Sequence, residues 1–330
     1  MRPLSYTRPR SVEEAIAVVS ADPGSAFLAG GTTAVDLVRA GVMHPDVLVD
    51  INQLPLAEIK PLPGGGVRFG APARMSDVAR DPVVMERYPA ISQALLLGAS
   101  EQLRNMASIG GNLCQRVRCP YFRDTAAPCN KRDPGTGCSA LDGLNRGHAI
   151  LGTSVHCIAT HPSDVAVALV AFDAVVHTIG PDGPRKIAVG DFYLLPGRTP
   201  HIEHPLGHGE LIVAVELPPM EIARASLYVK YRDRQSYEFA LISVAAAIEV
   251  GDGTVTDARL ALGGVGTKPW RAQRAEQALI GAPATPVQFA IAAAAELEPA
   301  EVCRHNAFKV ELAQRAIVRG LTQAMNAGAR

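Results

Sequence analysis

The 330-residue sequence has no excess of either charge: 32 Lys and Arg stand against 32 Asp and Glu. A chain without a basic surplus has nothing with which to neutralise a run of phosphates, so nucleic-acid binding is not expected. Long apolar runs are also missing. The longest, near Val165 to Val176, is interrupted by Asp173 and is too short to span a bilayer, so no membrane insertion is expected. The first ten residues, M-R-P-L-S-Y-T-R-P-R, lack the apolar core of a secretory signal. The chain is therefore expected to be soluble and made in the cytoplasm, where disulfides are disfavoured. With 48% hydrophobic and 19% charged residues it has an ordinary globular composition, and its length suits two or three domains.

Against this plain background, punctuation stands out. S-V-E-E-A-I-A-V-V-S (11–20) reads as a first helix, with Ser11 as cap and Glu14 three residues on, as in a capping box. In A-F-L-A-G-G-T-T-A-V-D-L-V-R-A-G (26–41), Ala26 to Ala29 read as a short strand. Gly30 and Gly31 then make a tight turn, and Thr32 or Thr33 caps a helix. Such a junction offers free backbone N–H groups to an anion, although plain strand–turn–helix joints look the same. It lacks the G-x-G-x-x-G spacing, so a standard dinucleotide fold is not supported. D-V-L-V-D-I (46–51) reads as a buried strand, and 75–81 and 87–98 as helices. A second glycine turn, Gly110 and Gly111 followed by Asn112, lies about 80 residues after the first. Two such turns could grip one extended phosphate ligand from two sides, the alternative being two unrelated turns.

Residues 114–157 are rich in Pro, Gly, Asn, Arg and Cys and have little periodicity, which in a compact protein marks a functional or disordered insertion. Five of the six cysteines lie here, four of them as C-x9-C-x8-C-x18-C at Cys119, Cys129, Cys138 and Cys157. No C-x-x-C knuckle accompanies them, which most structural zinc sites carry. The bare spacing leaves zinc and an iron–sulfur cluster both open, since four thiolates on an irregular loop can wrap a cluster. Arg116, Arg118, Arg123, Lys131, Arg132 and Arg146 outnumber Asp124, Asp133 and Asp142. That balance suits an anionic iron–sulfur centre, or merely a charged surface loop. Cys114 reads as a buried inert thiol and Cys303 as structural or idle. Regular structure returns after His161 with a helix and a strand. A further strand at 210–217 ends at Pro218 and Pro219, where a domain boundary is placed. Beyond it, Phe239–Val250 and Val255–Leu262 read as strands joined by G-D-G, and Ala272–Ile280, Val287–Leu297 and Asn306–Ala327 as helices.

Taken in order, F-L-A-G-G-T-T, Q-L-R-N-M-A-S-I-G-G-N-L, H-P-S-D with A-L-V-A-F-D-A, and G-E-L-I-V-A-V-E-L-P resemble the flavin subunit of the molybdenum hydroxylases. That family takes in xanthine dehydrogenases, aldehyde oxidoreductases and carbon monoxide dehydrogenases. The cysteine insertion narrows the resemblance to the flavin subunit of the periplasmic aldehyde oxidoreductase type, which carries an extra 4Fe-4S cluster. The implied fold is α+β. A two-part FAD-binding domain of the vanillyl-alcohol-oxidase/PCMH type (1–220, with the cysteine insertion at 114–158) precedes an α+β C-terminal domain like that of CO dehydrogenase flavoproteins (221–330).

The resemblance also implies a site. Ala26, Phe27, Leu28, Ala29, Gly30, Gly31, Thr32, Thr33 and Ala34 would form a first FAD pyrophosphate loop, and Ser108, Gly111 and Asn112 belong to a second. Asp164 would sit near the adenosine end, where its alternative is a helix N-cap. Ile212 and Lys230 would line the flavin, the alternative for Lys230 being a surface lysine. Cys119, Cys129, Cys138 and Cys157 would hold the cluster. No catalytic side chain is implied. The expected role is electron transfer within a molybdenum-dependent aldehyde oxidoreductase, beside a molybdenum-cofactor large subunit and a small 2Fe-2S subunit. The compartment would be cytoplasmic or, by export with a partner, periplasmic. A stand-alone flavin oxidase or reductase and a zinc-stabilised nucleotide-binding protein are the competing readings.

Overall fold

Three sheets divide the described residues. The computed structural model describes residues 3–328. The first sheet is small and parallel, β1 (Ser5–Thr7), β3 (Val47–Asp50) and β2 (Ser25–Leu28) in that order. Its crossover helix is Val12–Ala21. Ser11 caps that helix by accepting from Glu14 N, while the Glu14 carboxylate reaches back to Arg10 N (2.6 Å), one residue beyond the standard capping box.

The second sheet has five strands in the order β4 (Ile59–Pro61), β5 (Val67–Gly70), β8 (Leu211–Leu217), β6 (Val175–Gly180) and β7 (Gly183–Ala188). All of its pairings are antiparallel. One face packs on the helices Met75–Arg80, Pro82–Arg87, Pro89–Leu97 and Asp164–Ala171. Within the helix expected over 87–98, Arg87 ends one helix and Pro89 begins a second, Pro89–Leu97. Pro89 takes the first-turn position of the second helix and forces Tyr88 out of helical geometry (φ −139°, ψ 58°).

The third sheet is antiparallel, β12 (Trp270–Arg271), β11 (Thr254–Gly263), β10 (Ile242–Gly251) and β9 (Leu227–Tyr231). Positive φ at Asp252 and Gly253 makes the tight two-residue turn between β10 and β11. Every residue from Ile242 to Ile248 is buried, because the sheet is covered on both sides. Val244, Ala246 and Ile248 face the core formed with the helices Gln273–Leu279, Pro286–Leu297 and Phe308–Gly328. Ala245 and Ala247 face the core of the second sheet and its helices. The two halves of the chain thus share the faces of one strand. Close approach needs small residues there: a Cβ on Gly263 would stand 2.7 Å from the Val167 side chain.

The cysteine segment stays irregular apart from the short helix Pro120–Arg123. Its far end is anchored, since Ile150 N and Leu151 N both donate to Val265 O and their side chains enter the C-terminal core. No helix among the described residues is long and apolar enough to cross a membrane.

Candidate functional site

The first glycine turn follows β2 directly. Gly31 has φ +71°, a conformation that disfavours side chains. Thr33 occupies the cap position of the helix Ala34–Arg39, but its hydroxyl makes no capping bond. The N–H groups of Gly30, Gly31, Thr32 and Thr33 find no acceptor among the described residues. Gly30 packs against the chain leading into the second glycine pair: a Cβ there would lie 1.9 Å from Met106 O. Asn52 and Arg74 stitch the same junction. Asn52 Nδ2 donates to Ala29 O (2.9 Å), Arg74 Nη2 to Asn52 Oδ1 (2.9 Å) and Arg74 Nη1 to Met106 O (2.6 Å).

The second glycine pair is not a turn. Gly110 and Gly111 lie inside the short helix Ile109–Leu113, which Ser108 caps by accepting from Gly111 N (3.2 Å). The glycines serve approach rather than φ, because a Cβ on Gly110 would press on Ala71 at 2.8 Å. Asn112 links this helix to the next part of the site by accepting from Ser163 Oγ (2.6 Å). Ser163, not Asp164, caps the helix Asp164–Ala171. Asp164 is thereby free for another task. Its carboxylate takes Lys230 Nζ (2.8 Å) on one oxygen and the Tyr228 hydroxyl (2.8 Å) on the other. Lys230 is no surface residue: its side chain is 1% exposed, and it also donates to Leu97 O. Burial pushes the Asp164 carboxyl above its ordinary range, and Lys230 works against that rise.

These elements line one cleft in two joined compartments. The first, about 580 Å³, is lined by Thr32, Thr33, Gly111, Asn112, Asp164 and Lys230. The second, about 330 Å³, is lined by Phe27, Ala29 through Ala34, Ser108, Gly111 and Ile212. Thr32, Thr33 and Gly111 belong to both. Of the expected cleft residues, only Ala26 and Leu28 lie outside its lining, within β2 behind the turn. Sequence reasoning missed the rest of the wall: Asp36, Gln115 and the 234–239 loop in the first compartment, and His204, Leu206 and Glu210 in the second. Two lining residues are left-handed, Ala99 (φ +51°) beside Gly98 and Tyr237 (φ +52°), and neither residue type announces that conformation in a sequence.

The basic residues near the cysteines also have a different destiny from the one their count suggests. Arg118 and Arg123 face the cleft and pair with Asp36, and Arg116 and Lys131 pair with Glu203. Arg146 pairs with Asp233. The acids that balance them come from outside the segment, so its apparent positive excess is largely cancelled. Arg132 is used structurally, donating to the carbonyls of Tyr121, Phe122 and Asp124 at 2.8–3.0 Å and to Ala127 O.

Cys119, Cys129, Cys138 and Cys157 all line one narrow cavity, together with Val117, Phe122 and Lys131. Cys129 and Cys138 face each other across an isolated antiparallel bridge. Burial pushes the Cys119 thiol up to about 12 and raises Cys157 as well. Among the described residues no group of three or more His, Cys, Asp or Glu stands so as to hold a metal ion. The donor set therefore does not converge on a point. A four-iron cluster asks for something else: four thiols spread around one cavity, each deprotonated by the metal it binds. Cys114 lies apart, in the cleft lining, with its thiol pushed up to about 12 by burial. Residues 115–123 form the partition between the two sites, with Gln115, Arg116, Arg118 and Arg123 on the cleft side and Val117, Cys119 and Phe122 on the cysteine side.

Comparison with known proteins agrees with this architecture. Residues 2–220 match the family described as the FAD binding domain in molybdopterin dehydrogenase, and residues 227–324 match the CO dehydrogenase flavoprotein C-terminal domain. The chain is 48% identical over 325 residues to the aldehyde oxidoreductase FAD-binding subunit PaoB of Escherichia coli, covering 98% of this chain and 99% of that one. It is 27% identical to the glyceraldehyde dehydrogenase medium chain of Sulfolobus acidocaldarius, covering 84% and 81%. Among solved structures, carbon monoxide dehydrogenase from Hydrogenophaga pseudoflava superposes with a TM-score of 0.77 at 25% identity, over 99% of both chains. Quinoline 2-oxidoreductase from Pseudomonas putida 86 shares the fold, with a TM-score of 0.76 at 24% identity over 99% of this chain and 98% of the other.

Proposed function

The chain belongs to the FAD-binding subunits of the molybdenum hydroxylases, and on that premise we propose that it is the electron-transfer subunit of a molybdenum-dependent aldehyde oxidoreductase, carrying both FAD and a 4Fe-4S cluster. The observation that carries this reading is the shared partition: one stretch, 115–123, walls a nucleotide-sized cleft on one side and a four-cysteine cavity on the other. FAD supplies the exchange of electrons between donors and acceptors, and the protein binds and tunes it. The unpaired N–H groups of Gly30 to Thr33 hold the pyrophosphate without any lysine. Asp164, fixed by Lys230 and Tyr228, keeps lone pairs in reserve for ribose hydroxyls. Ile212, 5% exposed at the cleft wall, gives the ring system an apolar surface. Cys119, Cys129, Cys138 and Cys157 hold the cluster.

The 48%-identical aldehyde oxidoreductase subunit supports an aldehyde as the source of electrons. The oxidation itself belongs to a partner subunit with a molybdenum cofactor, and a small 2Fe-2S subunit passes the electrons to this chain. The test is anaerobic reduction of the assembled complex by an aldehyde, followed through the flavin absorbance. Bleaching is expected. A flavin that stays oxidised while aldehyde is consumed would overturn the reading.

A further inference from the structure

Among the described residues, one polar side chain comes within hydrogen-bonding distance of a sulfur of the cysteine cavity. His148 is 4% exposed, and its Nε2 lies 3.2 Å from Cys119 Sγ. Its other ring nitrogen, Nδ1, is buried and has no partner. We infer that His148 is a positioning residue for the four-cysteine centre, donating its Nε2–H to the ligating sulfur of Cys119 and so making the cluster easier to reduce. This rests on the cluster assignment proposed above.

The tautomer follows from the partner. A neutral imidazole has one N–H and one bare nitrogen. Beside a thiol the ring could accept. A sulfur bound to iron carries no proton, so the ring nitrogen facing it must donate. The bare lone pair then falls on Nδ1, and a buried lone pair without a partner costs less than a buried N–H without one. The ring is also kept from turning away. Its backbone carbonyl accepts from Lys309 Nζ (3.0 Å), and its N–H donates to Asn145 O (3.0 Å). Lys309 and Asn306, both 0% exposed, belong to the start of the last helix and its approach. They bind the carbonyls of Gly147, His148 and Ala149 as well as Gly264 O. The C-terminal domain thereby grips the loop that carries the ring. Every reduction step adds negative charge to the cluster, and a hydrogen bond to one of its sulfurs favours the more anionic form.

The test is an anaerobic redox titration of the purified complex, with cluster reduction read by electron paramagnetic resonance and FAD and iron measured in each sample. In His148→Phe the ring volume stays but the donor is lost. At a fixed ambient potential the ratio of reduced to oxidised cluster is expected to fall several-fold, with FAD and iron retained. His148→Gln restores a donor and is expected to recover part of the shift. If His148→Phe loses iron while His148→Gln keeps it, the donor is needed to hold the centre and the inference stands. An unchanged potential in iron-replete His148→Phe, or equal iron loss in both variants, would overturn the inference while the cluster assignment stands. A wild-type protein without iron would instead sink the cluster assignment and the inference with it.

Discussion

The cleft and the cysteine cavity share a wall but are built by opposite means. The cleft is framed by the ends of regular elements: β2, the helices starting at Ala34, Ile109 and Asp164, and the strands β8 and β9. Backbone groups there are fixed by secondary structure, and the tightest constraint is a steric one at Gly30. The cysteine cavity has almost no regular structure around it. Its shape is held by side chains reaching to backbone, with Arg132, Asn130, Asn145, Lys131 and Lys309 tying the loop. A site of the first kind survives the loss of its ligand in shape. A site of the second kind depends on its staples and on whatever the thiols bind. The two should therefore fail separately.

The sharpest break is expected at Gly30→Ala. The new methyl would collide with Met106 O, and no flexible side chain is there to yield. The two glycine-bearing segments must then separate, at a cost of about 4 kcal/mol or more. FAD content after gel filtration should fall to near zero while iron is kept.

Next comes Lys230→Met. It strands the Asp164 carboxylate in a site where the lysine side chain is 1% exposed and its own 9%. Removing one partner of such a pair costs about 3–5 kcal/mol. Denaturant melts should show that loss, and the double change with Asp164→Asn should recover part of it. Equal losses in single and double variants would argue that the pair is not coupled.

Arg132→Met attacks the other region. Four backbone carbonyls lose the Arg132 guanidinium as a donor, of which those of Tyr121, Phe122 and Asp124 bond at 2.8–3.0 Å. With water replacing part of the bonding, about 2 kcal/mol should be lost locally. Limited proteolysis should then cut within 120–137 well before the rest of the chain, with FAD retained.

The smallest effect belongs to Glu210, at the cleft rim. Burial raises its carboxyl pKa, but bonds from Arg185, Thr178 and Gly207 outweigh that and hold it below its ordinary 4.5. A lowered carboxyl contributes stability that is complete above the ordinary value and is lost as pH falls through the lowered one. The stability gap between wild type and Glu210→Gln should be about 1 kcal/mol at neutral pH, discounted for the exposed Arg185, and should close under acid. Paired melts across that range check it.

The same contrast explains what could be read beforehand. Ser11, the G-D-G hairpin and the Gly30–Gly31 joint are local signals, and each names a conformation that only a few residues adopt. The glycine pair at 110–111 was legible as special but not as helical, because its reason is contact with Ala71 rather than a φ angle. Strand β9 was missed altogether. In L-Y-V-K-Y the lysine looks like a surface residue until Asp164, 66 positions away, is brought beside it. The charge count over the cysteine segment misled for a related reason, since Asp36, Glu203 and Asp233 lie outside the window counted. Close-range geometry is written in sequence, whereas compensation across the fold is not.

The central claim is that one wall separates two cofactor sites that this chain holds at once. Its most direct test is the FAD, iron and labile-sulfide content of anaerobically purified protein, measured beside Cys129→Ser. The account predicts one FAD and about four irons per wild-type chain, with iron lost and FAD kept in the variant. Zinc in place of iron, or FAD and metal lost together in Cys129→Ser, would contradict it.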